Sequence, residues 1–261
     1  MELGLSGRTA IVTGASRGIG RACSRSLLDE GINLCAVARD HDLLQSLVDE
    51  SGAPERCLTV SADLATRAGC ETAVAACVAE FGAVDILVNC AGAAQQADVL
   101  DVERAVIDDC LALKFHGYLT MSQLVATGMS QRRWGRIVNI AGAAGTSPTA
   151  VNLPTSIANA AVLNMTRSLS DALAQFGVLV NAVCPGATRT DRARRLKLAE
   201  AAATGRDVDE LLDETAAAYP ARRMAEPDEI ARVVTFLASD ACSYLFASAL
   251  YMDGGVRRAT P

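Results

Sequence analysis

Seven short runs rich in apolar and β-branched residues recur along the chain: TAIVTG, INLCAVA, CLTVSA, DILVNC, RIVNIAG, VLVNAVCPG and SALYMDGG. Helix-length stretches separate most of them. Continuous apolar strands suit a sheet covered on both faces, and strands alternating with helices call for parallel crossovers. The spacing predicts an α/β fold with a doubly wound parallel (Rossmann) sheet and helices at about 18–30, 41–51, 67–81, 102–130, 155–176 and 227–239. Right-handed crossovers then set the ligand crevice along the C-terminal ends of the strands. With 261 residues, 51% of them hydrophobic, the chain can bury a large core, and one domain spanning 1–261 is expected. Residues 187–220 break the rhythm. That stretch is polar, charged and helical in pattern, and it follows a strand end where a lid would sit; a solvated helical excursion without a gating role is the alternative.

A formal net charge of -6 offers no basic footprint for nucleic acid or anionic lipid, so neither partner is expected. The opening MELGLSGRTAIVTG lacks the basic flank and apolar core of a signal peptide, and no run approaches the roughly 20 apolar residues that span a bilayer. The expected location is the cytoplasm. Nine scattered cysteines, odd in number and without a C-x-x-C pair, read as small buried hydrophobes. His41 and His116 have no ligand-spaced partner, and no metal site is expected.

TGASRGIG, residues 13–20, follows the first strand and opens the first helix. Gly14 permits the tight turn, Gly18 lets backbone approach a phosphate, and Gly20 allows close helix packing. Ser16, Arg17 and Ile19 complete a loop whose helix N-terminus supplies amide donors and a positive dipole. About 20 residues on, an acid would accept the hydrogen bonds of a free ribose. The second strand instead ends CAVARD, with Ala38 at the acid's expected place and Arg39 next. A guanidinium suits a 2'-phosphate, and Arg17 adds a second cation, so NADP(H) is expected over NAD(H). Asp40 would take the ribose if the strand ended later, and Arg39 would then be a solvated arginine.

With the acid of SADL, VNCAG, GRIVNIAG, VNAVCPG, RMAEPDEIARVVTFLASD and MDGG in order behind TGASRGIG, the chain resembles the short-chain dehydrogenase/reductase family from about Gly7 to Gly255. The resemblance implies that Asp63, with Leu64 beside it, holds the adenine. It implies that Asn89, Ala91 and Gly92 line the cofactor floor, that Pro185 and Gly186 face the nicotinamide, and that Thr190, with Thr188 nearby, binds the carboxamide.

The family's usual catalytic set is a serine after the fifth strand, Tyr-x-x-x-Lys on the next long helix and an asparagine on the preceding one. Aligning GRIVNIAGAAG sets Gly142 at the serine; counting on sets Thr155 at the tyrosine and Asn159 at the lysine. LALKFHGYLTMSQ sets Lys114 at the asparagine. A slipped alignment does not restore the motif, because NAAVLNMTRSLS keeps the family register and the tyrosines are Tyr118, Tyr219, Tyr244 and Tyr251. Lysine and asparagine have in effect traded places. If both helices keep their usual geometry, ammonium and amide still face one pocket. Lys114 would then hold the ribose or polarise a carbonyl, with a depressed pKa; the alternatives are a solvent-facing side chain or an interface ion pair. Tyr118, four residues on, would offer a phenol or pack in the core. Thr155 keeps a hydroxyl too weakly acidic and too short to replace a phenol. Ser147, Thr149, Asn152 and Ser156 fall near the crevice mouth and would touch a polar substrate or serve loop turns.

Three functions fit: an NADP(H)-dependent oxidoreductase of small carbonyl or alcohol substrates centred on Lys114, a catalytically silent nucleotide- or partner-binding protein, and non-redox lysine chemistry. The resemblance also implies a homodimer or homotetramer paired through the two long helices, where Leu111, Leu113, Val162, Met165 and Leu169 would serve interface or core.

Overall fold

The computed structural model describes residues 2–92 and 95–258. Seven parallel strands form one sheet in the order β3-β2-β1-β4-β5-β6-β7. They are β1 (Thr9–Thr13), β2 (Asn33–Ala38), β3 (Cys57–Ser61), β4 (Ile86–Asn89), β5 (Gly135–Ile140), β6 (Val178–Pro185) and β7 (Ala249–Met252). All seven follow the apolar runs read in the sequence.

Alternation along the strands sends side chains to two cores. Ala10 and Val12 of β1 pack with Leu27 and Leu28 of α1 (Gly18–Asp29), Leu44 of α2 (His41–Glu50) and Ile230 of α9 (Pro227–Ala238). Ile11 points the other way, toward Cys70 and Ala73 of α3 (Arg67–Phe81) and Met121 and Val125 of α5 (Gly117–Arg132). Such double coverage explains why the strands carry no polar face. Val162 and Met165, candidates for core or interface, are buried on α6 (Leu153–Leu173) against Tyr118, Ala141 and Cys184, so they belong to the core.

The structure departs from the expected continuous helix at 102–130. The helix is α4 (Arg104–Leu111), a π-helical turn over Ala112–His116 and then α5. Wide turns of this kind are rare and cluster at functional sites. Lys114 sits in the middle of it. The stretch 187–220 folds as α7 (Asp191–Thr204) and α8 (Val208–Ala217), tied by an Arg194–Asp209 ion pair of 2.7 Å. Among the described residues no helix is long and apolar enough to cross a membrane.

Candidate active site

Strand order reverses between β1 and β4, and a cleft of about 390 Å³ opens there at the C-terminal strand ends. The glycine loop forms one wall with Gly14, Ser16, Arg17, Gly18, Ile19 and Gly20. A Cβ on Gly20 would collide with the Gly14 carbonyl, so only glycine lets α1 start this close to the loop. Arg39 lines the cleft from the end of β2, Asp63 and Leu64 from the end of β3, and Ala91 and Gly92 from the end of β4.

Asn89 stands beneath this floor instead of lining it. It is fully buried, and its amide nitrogen donates to Asn139 Oδ1 (2.9 Å) and Ser122 Oγ (3.3 Å). Thr13 Oγ1 accepts from the backbone N–H groups of Cys90 (2.9 Å) and Ala91 (3.1 Å), fixing the turn above it. Asp40 also lines the cleft. It caps α2 by accepting from Leu43 N–H (3.2 Å) and pairs with Arg17 at 2.8 Å. Arg39 is left exposed on the cleft wall.

Lys114 is only 9% exposed, and its ammonium lines the same cleft. Burial, and then the charge of Arg192, lower its pKa from 10.5 to about 8. The groups acting on it are Arg192 and the thiols of Cys90, Cys184 and Cys110, with no carboxylate among them. Burial pushes Cys90 and Cys184 up to about 11, so both are neutral thiols at pH 7.

Gly142, Thr155 and Asn159 lie outside the cleft lining. Gly142 has φ of +88°, and a Cβ there would stand 3.0 Å from Asn159 Nδ2. Asn159 is 2% exposed, and its Oδ1 has no hydrogen-bond partner among the described residues. The Asn159 amide is thus packed beside Gly142. Thr155 donates its hydroxyl to the Gln95 carbonyl at 3.1 Å, which holds the β4–α4 loop to the start of α6. Tyr118 is 2% exposed in the core, and its hydroxyl donates to the Ile140 carbonyl at 3.4 Å. Burial holds its pKa well above the usual phenol value.

Pro185, Gly186 and Thr188 do not reach the cleft lining either. A Cβ on Gly186 would lie 2.9 Å from Asp253 Cα and 3.0 Å from Tyr219 Cε1, and the Tyr219 hydroxyl accepts from Ala187 N–H at 3.0 Å. Tyr219, from the end of the 187–220 stretch, covers that strand end. Thr190 does line the cleft; it caps α7 by accepting from Ala193 N–H (3.2 Å) and comes within 3.2 Å of where a Gly18 Cβ would be. The start of α7 therefore rests on the glycine loop.

That placement brings in two residues that sequence reasoning missed. Arg192 and Arg195, three apart and so on one helical face, line the cleft from α7. The spacing in TDRARR carried the signal, hidden within a stretch that reads simply as charged.

A doubly wound parallel sheet with a glycine loop at its switch point defines a Rossmann-type α/β protein. The family description "short chain dehydrogenase" matches residues 8–201. Oxidoreductase UcpA of Salmonella typhimurium is 35% identical over 257 residues, covering 96% of this chain and 95% of that protein. The 3-oxoacyl-[acyl-carrier-protein] reductase FabG of Vibrio cholerae is 32% identical over 254 residues, covering 97% and 99%. Among solved structures, L-sorbose reductase from Gluconobacter frateurii complexed with NADPH and L-sorbose superposes with a TM-score of 0.94 at 28% identity, covering 100% of both chains. Actinorhodin polyketide ketoreductase with NADPH gives 0.92 at 30% identity, over 97% and 98%. The chain belongs to the short chain dehydrogenase family.

Proposed function

We propose that this protein is an NADP(H)-dependent oxidoreductase of a small carbonyl or alcohol substrate, with Lys114 working in place of the family's tyrosine and lysine. The observation that carries the reading is Lys114, buried without a carboxylate partner among the described residues on the wall of the cleft that the glycine loop shapes.

The residues present fit the cofactor. The loop amides and the start of α1 suit its diphosphate, and Asp63 and Leu64 flank the adenine side. Arg39 suits the 2'-phosphate, since Asp40 is occupied by Leu43 and Arg17. The solved relatives bound to NADPH support the same choice over NAD(H). When bound, the cofactor supplies or accepts a hydride. Lys114 polarises the substrate carbonyl and donates the proton to the developing alkoxide; a pKa of about 8 leaves it mostly protonated at pH 7 yet able to give the proton up. Residues 187–220 act as a lid through α7, whose contact with Gly18 shields the cleft from water. Homodimer or homotetramer assembly remains part of this reading.

A second reading, a silent nucleotide-binding relative, is favoured by one observation: Gly142, Thr155 and Asn159 all stay out of the cleft lining. Lys114→Met separates the two. The first reading expects NADPH binding retained and turnover of an accepted carbonyl reduced at least about 100-fold, the scale of one acid/base group. The second expects NADPH binding and no turnover in either protein.

A further inference from the structure

We infer that Lys114 and Arg192 form a paired-cation site for an oxyanion carried by the substrate, so that the substrate is a carbonyl compound bearing a carboxylate. The inference rests on the oxidoreductase reading above.

The two cations converge on one point. The place a Cβ on Gly92 would occupy lies 3.8 Å from Lys114 Nζ and 3.9 Å from Arg192 Nη1. Lys114 is more than nine-tenths buried, and Arg192 is half-buried at the start of α7. Like charges drawn together away from water repel, and Arg192 is the charge that most disfavours the Lys114 ammonium. Among the described residues no carboxylate pairs with either cation. Of the acids on the cleft wall, Asp40 is paired with Arg17, Asp63 accepts from Ala65 N–H at 3.1 Å, and Asp191 is exposed and is not among the groups acting on either cation. The groups that act on Arg192 are Tyr118, two cysteines and Arg195. An oxyanion between them satisfies both: the guanidinium forks onto a carboxylate while the ammonium reaches the adjoining oxygen.

The cofactor's diphosphate is also an oxyanion, but the glycine loop already offers it a site at the end of β1, with Arg17 and Arg39 on that side. The paired cations stand over the end of β4, next to Leu113 and Ile140. That leaves them for the substrate.

Calorimetric titration with oxalate, with oxamide as the uncharged control, tests the site in free and in NADPH-saturated protein. Oxalate is expected to bind both forms and oxamide neither. Arg192→Gln and Lys114→Met should each weaken oxalate at least tenfold, with folding of each checked by its NADPH binding. If Lys114→Met does not fold, Arg192→Gln alone decides. Oxalate binding abolished by NADPH would assign the cations to the diphosphate and overturn the inference. So would an absence of oxalate binding to wild type, or equal binding to Arg192→Gln. Wild-type protein that bound no NADPH would instead sink the oxidoreductase reading, whatever oxalate did.

Discussion

The amide of Asn159 fills the space beside Gly142 that a serine side chain would need, with Nδ2 3.0 Å from the Cβ position and the Gly142 backbone at φ +88°. The two residues therefore form one structural unit. Restoring a serine at Gly142 would add strain at a positive φ and force the buried amide to move. Gly142→Ser is expected to destabilise the fold by about 1–3 kcal/mol, read as a lower midpoint in urea. Shortening the neighbour with Asn159→Ser in the same chain should recover part of that loss, and additive effects of the two would show that the residues are not coupled.

Thr155 is expected to act structurally. Thr155→Val removes the hydrogen bond to the Gln95 carbonyl, so stability should fall by about 0.5–1.5 kcal/mol while NADPH affinity stays within twofold. Loss of turnover with stability unchanged would instead give the hydroxyl a chemical role.

Lys114 should cost the fold stability. Its folded pKa of about 8 lies below its free value of 10.5, so between those values the unfolded chain holds more protons and stability rises with pH. Below pH 8 the penalty is present in full; above 10.5 it is gone. Lys114→Met removes it, and the variant should exceed wild type by on the order of 3 kcal/mol at pH 7. Denaturation of both proteins from pH 7 to pH 10 checks this, the gap narrowing as pH rises. A constant gap would show that the lysine is not the group titrating.

Proton donation by Lys114 gives a matching kinetic signature. The kcat/KM for reduction of an accepted carbonyl should decline as pH rises through about 8, where the ammonium of the free protein loses its proton. The opposite slope would assign the lysine a basic role.

Strands, the parallel sheet class and the glycine loop were legible because short-range pattern decides them: TAIVTG and TGASRGIG can hardly serve another end. The candidate catalytic residues Lys114, Gly142, Thr155 and Asn159 could be named from the sequence, but their geometry could not. The packing of the Asn159 amide beside Gly142 was not legible, because spacing carries no trace of which side chains share a small space. The π-helical turn at Lys114 was likewise hidden, since one widened turn barely alters the apolar period. Arg192 and Arg195 reach the cleft only because α7 folds back onto Gly18, a tertiary event.

The most direct measurement is a fluorescence titration of the protein with NADPH and with NADH, repeated on Arg39→Ala. The expected result is micromolar NADPH binding, at least tenfold tighter than NADH, with that preference lost in Arg39→Ala and NADH affinity unchanged. Failure to bind either nucleotide would contradict the account at its base, and a preference for NADPH that survives Arg39→Ala would overturn the place given to the 2'-phosphate.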